Sequence, residues 1–151
     1  MNSALMFSKA SDEWTTPQLF YDALHAEFTF GVDAAATPEN RKCDLFYGND
    51  ERGGALARDW TLSPYPHWCN PPYSRCAEFV AKAYAEMCRG VLTVMLIPAR
   101  TDTRYFHGYL WDRIDHKPMP GVELRFVRGR LKFGDGKNSA PFPSMVVVFR
   151  P

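Results

Sequence analysis

The sequence predicts an α/β fold: a mostly parallel sheet with helices packed on it and an antiparallel C-terminal edge. Three observations predict it. Residues 91–97 form a continuous apolar run of strand length, the pattern of a strand covered on both faces. Before it comes an amphipathic stretch at 74–88, itself preceded by the short apolar segment His67-Trp68-Cys69; strand, helix, strand in that order is a βαβ unit. Near the end, 122–127 alternates in polarity and 145–149 is strongly apolar, so two last strands should pair antiparallel across the loop at 134–143.

The elements follow in order. Residues 1–12 show no periodicity and are expected to be a flexible N-terminal tail, leaving 13–151 as a single domain. Thr16 is a candidate N-cap with Pro17 at the first helical position, and the helix should run to about residue 27 with Leu19, Phe20, Ala23 and Leu24 on its inner face. A short strand at 28–32 should end at Asp33. Residues 34–64 are irregular: Ala34-Ala35-Ala36 could open a short helix, 45–47 could be a strand, and Gly53-Gly54 marks a turn. In 74–88 the stripe Phe79, Val80, Ala83, Tyr84, Met87 has helical spacing, and Gly90 should stop that helix. Thr101 or Asp102 could cap another carrying Tyr105, Phe106, Tyr109 and Leu110, and Gly129 should turn the chain after 122–127.

Composition narrows the function classes. Hydrophobic residues make up 46% of the chain, enough for a core, yet no apolar run approaches the roughly 20 residues that span a bilayer. No basic start and apolar stretch of a secretory signal opens the chain, so a soluble, cytoplasmic protein without a membrane partner is expected. The four cysteines, Cys43, Cys69, Cys76 and Cys88, form no C-x-x-C pair, which argues against a structural metal. Net charge is +1, but 100–137 holds nine Lys/Arg against five Asp/Glu while the rest holds nine against twelve. This basic third could face phosphates or be an ordinary solvated surface. An oligomeric state is not set by any of these features.

Chemistry concentrates in Asn70-Pro71-Pro72-Tyr73. Two consecutive prolines cannot continue a strand ladder, so the tetrapeptide should sit at a strand's carboxyl end, where open α/β sheets place their sites. It should arise by chance about once in a few thousand chains of this length. The Asn70 side-chain oxygen and the Pro71 carbonyl are two acceptors on a rigid backbone. Around a planar amine such as that of adenine, they would accept hydrogen bonds from its two N–H groups, favour a tetrahedral nitrogen and free its lone pair for attack on an electrophilic methyl. Tyr73 offers a flat face for a base, a contact that contributes about 1–3 kcal/mol. The plain structural alternative is a proline turn with Tyr73 in the core.

At these residues the chain resembles the amino methyltransferases with an N/D/S-P-P-aromatic motif. The order of the flanking pieces is similar to the phage-type N6-adenine DNA methyltransferases (the small Dam-like family). Those pieces are Glu13-Trp14-Thr15-Thr16-Pro17, Phe30-Gly31-Val32-Asp33-Ala34-Ala35, Asp59-Trp60, Leu96-Ile97-Pro98-Ala99-Arg100-Thr101-Asp102, Gly129-Arg130-Leu131-Lys132-Phe133 and Pro143-Ser144. The resemblance implies a Rossmann-like class I methyltransferase fold and S-adenosyl-L-methionine as cofactor. It implies adenine in DNA as substrate, and a phage or mobile-element setting.

Position by position, the resemblance implies that Asn70, Pro71, Pro72 and Tyr73 are catalytic. Trp14, Thr15, Thr16, Pro17, Asp33, Ala35, Asp59 and Asn70 would surround the cofactor, with Asp59 between cofactor and base. Tyr73, Arg100, Arg128, Arg130 and Lys132 would meet DNA. One departure stands out. Most methyltransferases of this fold have a glycine-rich turn after the first strand, and here that strand ends in Asp33-Ala34-Ala35-Ala36. This departure motivates the alternative of a degenerate, non-catalytic DNA-binding module. A second alternative is methylation of another planar amine or amide, in an RNA base or a protein glutamine.

Overall fold

The computed structural model describes residues 15–48, 54–134 and 139–151. The expected tail at 1–12, Trp14 and Gly53 lie outside these residues. A six-stranded sheet runs in the order β2-β1-β3-β4-β8-β7. Its strands are β1 (Val32–Asp33), β2 (Leu45–Phe46), β3 (His67–Cys69), β4 (Thr93–Pro98), β7 (Val122–Phe126) and β8 (Ser144–Phe149), and β5 (Trp111–Asp112) pairs with β6 (Lys117–Pro118) in a separate ribbon. The first four strands of the sheet are mutually parallel, and β8 is antiparallel to both β4 and β7. The expected α/β class with an antiparallel C-terminal edge is thus observed.

Alternation splits the central strands between two cores. Val94, Leu96, Val146 and Val148 join Trp68 on one face, beneath α1 (Gln18–Phe28). Met95, Ile97, Met145, Val147 and Phe149 join Cys69 on the other, beneath α2 (Cys76–Cys88). Every residue of β4 and β8 is buried, which is why both read as unbroken apolar runs. Each fully buried large side chain among them contributes about 1.5–3 kcal/mol by leaving water.

Helix α1 ends within a residue of the expected position but differs from the expectation at its start. Pro17 (φ −56, ψ 133) is itself the capping residue and no side chain caps the helix. Thr16 instead is buried and faces a cleft. The buried face is Tyr21 and Leu24, flanked by Phe20 and Phe28, while Leu19 is 84% exposed. Of the four residues expected inside, Phe20 and Leu24 face the core, while Leu19 and Ala23 are exposed and Tyr21 takes part instead. At the far end Thr29 turns left-handed (φ 54), its N–H donating to the His25 carbonyl (2.8 Å), and the Phe30 N–H donates to His25 Nδ1 (3.0 Å). These bonds end the helix at residue 28 and leave only Val32–Asp33 as strand.

Helix α2 buries Cys76, Phe79, Val80, Ala83, Glu86 and Met87, with Tyr84 half-buried. Gly90 (φ 102) ends it as expected, its N–H donating to the Met87 carbonyl while Val91 N–H reaches Glu86. The alanines after Asp33 open no helix, and the segment at 106–110 is a single wide turn that Thr103, rather than Thr101 or Asp102, caps through its hydroxyl.

Candidate active site

Strand order reverses at β1: β2 lies on one side, while β3 and β4 lie on the other. The carboxyl ends of β1 and β3 are therefore neighbours at a topological switch point, where a crevice opens because the connections diverge. The register pairs Asp33 with Trp68, and Ala34 N–H donates to the Trp68 carbonyl (2.7 Å), so Asp33 and Asn70 emerge side by side. A cleft of about 630 Å³ lies at this point, lined by Thr15, Thr16, Asp33, Ala35, Asn70 and Pro72 together with the loops at 36–48 and 55–56 and the start of α2.

The β1 side is built of hydrogen bonds. Asp33 is 3% exposed and its carboxylate accepts the N–H groups of Ala35 (3.2 Å) and Lys42 (2.9 Å). Burial pushes this carboxyl up to about 6, and the two N–H bonds work against that rise. Thr37 and Asn40 cap each other through N–H and side-chain oxygen. The whole stretch 34–48 contains no positive φ. Alanines therefore serve where a glycine-rich turn was the comparison, because the carboxylate rather than backbone contortion shapes the loop. Glycine is needed just upstream, at Gly31, where a Cβ would meet the Tyr65 Cβ at 2.5 Å.

On the β3 side the Tyr73 ring is held by packing. The Pro72 carbonyl accepts Arg75 N–H (2.9 Å), while the Pro71 carbonyl accepts no backbone N–H among the described residues. Pro72 (ψ 127) holds the chain extended until Tyr73–Arg75 turns into α2. The Tyr73 ring does not line the cleft. It is T-shaped to Phe142 (5.3 Å, 79°) and Phe133 (6.4 Å, 87°), and its hydroxyl is buried without a partner among the described residues. Burial raises its phenol well above the usual range.

Several expected residues lie elsewhere. Asp59 is not at the cleft: it caps the turn Trp60–Leu62 by accepting Thr61 N–H (3.0 Å) and hydroxyl (2.6 Å), and it pairs with Arg89 (3.1 Å). Both contacts hold its carboxyl below the ordinary range, the Thr61 hydroxyl bond most of all. In this structure it is not among the residues lining the cleft. The thiols of Cys69 and Cys76 are pushed up by burial, to about 11 for Cys76, so neither is a nucleophile at neutral pH. His67, buried under Trp60 (ring centroids 5.3 Å apart), bonds to the Tyr65 carbonyl and the Tyr47 hydroxyl. The carbonyl can only accept, so Nδ1 carries the proton and Nε2 accepts from Tyr47; burial, the main cause, holds the ring neutral.

The expected basic residues follow strands that end on one edge of the sheet. Because β7 is antiparallel to β8 and β8 to β4, β7 ends on the same edge of the sheet as β3 and β4. Arg100 follows β4 there, and Arg128, Arg130 and Lys132 follow β7; all four are exposed, and none forms an ion pair with a described residue. Arg104, one turn beyond Arg100, adds an exposed cation that had no motif to mark it. Among the described residues no cluster of metal-ligating side chains occurs, and no helix is long and apolar enough to cross a membrane.

Comparison with known proteins adds three findings. A family model described as DNA N-6-adenine-methyltransferase (Dam) matches residues 4–151. The chain is 36% identical over 96 residues to a protein of Escherichia phage T1 named DNA N-6-adenine-methyltransferase; the match covers 63% of this chain and 39% of that one. A protein of Haemophilus phage HP1 with the same name is 26% identical over 149 residues, covering 95% of this chain and 83% of its own length. The matched stretch therefore spans less than half of the phage T1 protein and most of the HP1 protein.

Proposed function

Because the chain belongs to the DNA N-6-adenine-methyltransferase (Dam) family, we propose that it methylates the exocyclic N6 amine of adenine in DNA, with S-adenosyl-L-methionine as donor. The observation that carries this reading is the position of Asn70 and Pro72, on either side of Pro71: at the carboxyl end of β3, beside Asp33, on a cleft at the switch point of the sheet.

The cleft suits such a donor. Its volume of about 630 Å³ falls within the range of roughly 300–1,000 Å³ usual for small-molecule sites. Its wall offers the buried Asp33 carboxylate and the Thr15 and Thr16 side chains to a cationic, hydroxyl-bearing ligand. Thr15, Thr16, Asp33 and Ala35 would hold it, with Pro17 fixing the direction of the threonines. When bound, S-adenosyl-L-methionine supplies an electrophilic methyl on sulfur.

The chain's own task is to make the amine attack. The Asn70 side-chain oxygen and the Pro71 carbonyl would accept hydrogen bonds from its two N–H groups, and two acceptors so placed favour the pyramidal nitrogen of the transition state. No general base is required, since the nitrogen becomes acidic as its lone pair is used and its proton can pass to solvent. Tyr73, which follows the two acceptors and lies outside the lining of the donor cleft, would meet the base beside that cleft, and Arg100, Arg128, Arg130 and Lys132 would take phosphates on the same rim. Extruding a base from a duplex costs a few kcal/mol, which those phosphate contacts offset. DNA in the cytoplasm of a bacterial or phage-infected cell is the expected substrate. An RNA amine or a glutamine amide would fit the same pair of acceptors, but the basic rim favours nucleic acid over protein. The binding-module alternative loses its motive, because the loop after β1 adopts no conformation that needs glycine.

The test is incubation with donor labelled in the methyl group and DNA lacking adenine modification, followed by digestion to nucleosides. Label is expected in N6-methyl-2′-deoxyadenosine. Label on cytosine or on protein alone would contradict the proposal.

A further inference from the structure

The segment that carries Arg128, Arg130 and Lys132 is also the segment that holds the tetrapeptide in place. Phe133 and Phe142, from the two sides of the β7–β8 connection, both meet the Tyr73 ring edge-to-face. Leu131 accepts Ala140 N–H through its carbonyl (2.8 Å), which ties the two sides together. Gly134 N–H donates to the Thr15 carbonyl (3.0 Å), so the same segment also braces the threonine wall of the cleft. Tyr73 thus follows the reacting position directly in the chain and packs on the segment that carries the cations. Its buried hydroxyl has no partner among the described residues, a contact set that aromatic packing alone maintains.

Resting on the function proposed above, we propose that Phe133 and Phe142 are positioning residues: they clamp Tyr73 and couple phosphate engagement by the basic segment to the placement of that ring against the acceptor base. Neither phenylalanine is among the residues lining the cleft, so their effect would pass through Tyr73. The coupling uses only side chains already in contact, and a shift of the basic segment on seating phosphates is transmitted through two rings at 5–7 Å.

Two measurements decide it. Phe142→Leu keeps the apolar volume and removes the ring; Phe142→Tyr restores the ring. With plasmid DNA, Phe142→Leu is expected to lower kcat about tenfold, with KM for DNA and the donor dissociation constant changed about twofold or less, and Phe142→Tyr is expected to recover most of the rate. A fall in donor affinity and thermal midpoint in parallel with rate, or an unchanged kcat, would overturn the proposal. The second measurement is the NMR signal of the Tyr73 ring, assigned by Tyr73→Phe, while a DNA duplex is added. It should move in the wild-type protein and stay still in the Arg128→Gln, Arg130→Gln double variant at saturating DNA. Movement in both would remove the coupling. If the wild-type protein transfers no methyl at all, the function proposed above has failed, and the ring signal still decides whether the clamp links DNA to Tyr73.

Discussion

At the end of β1 the cleft is held by hydrogen bonds; at the end of β3 the Tyr73 ring is held by packing. Asp33 gathers the loop at 34–42 through two N–H groups of defined length and angle, and its burial sharpens those bonds. Tyr73 has no such partner among the described residues and is placed by Phe133 and Phe142. The difference matches the two ligands the cleft is proposed to serve. A small polar donor has to be bound in one pose, whereas a base delivered on a polymer needs a face that can be carried by the segment touching its backbone.

The largest expected effect breaks the β1 side alone. Asp33→Ala leaves the Ala35 and Lys42 N–H groups without their acceptor, at about 1–3 kcal/mol each. Donor affinity, measured by calorimetry, should fall about a hundredfold, while the Tyr73 cluster is undisturbed. Unchanged affinity would mean that the loop is shaped by something else.

Asp33→Asn sharpens the same side through pH. The Asp33 carboxyl stands at about 6 in the folded protein against an ordinary 3.8. Between those values the folded state holds more proton than the unfolded one. The contribution to stability is therefore full below about pH 3.8 and is lost as pH rises through about 6, a change of the order of 3 kcal/mol. Urea denaturation should show wild type losing stability relative to Asp33→Asn across that window, and parallel curves would contradict the buried charge.

A smaller effect is expected on the rim. Arg128→Gln with Arg130→Gln should lower the slope of log affinity for DNA against log salt by about 2, with donor affinity intact. An unchanged slope would show that these arginines meet no phosphate. The smallest effect belongs to the β3 side. Tyr73→Phe removes a buried, unpartnered hydroxyl, so stability should hold or rise by about 1 kcal/mol in urea denaturation. A loss of that size would instead show the hydroxyl bonded.

What could be read from the sequence was what repeats locally. The run at 91–97 and the final strand were legible because both faces are buried, and Asn70-Pro71-Pro72 announced a strand end because proline cannot pair. Helix α2 was legible from its stripe. Contacts between distant residues were not. Asp59 looked like a site carboxylate, but its partner Arg89 lies thirty positions on in another element. Tyr73 looked free to stack, and its two phenylalanines lie sixty and more residues away. Thr16 looked like a cap because Pro17 resembles a first helical residue, whereas an extended Pro17 places Thr16 in the cleft. Arg104 was missed because an exposed arginine carries no local pattern; only the direction of β4 brings it to the rim.

The most direct test of the central claim is methyl transfer by Asn70→Ala, followed beside its melting temperature and its affinity for donor. The rate of adenine methylation should fall about a hundredfold or more, since one of two acceptors for the amine is gone, while the fold and donor binding persist. Transfer at the wild-type rate by a protein lacking the Asn70 amide would contradict the account.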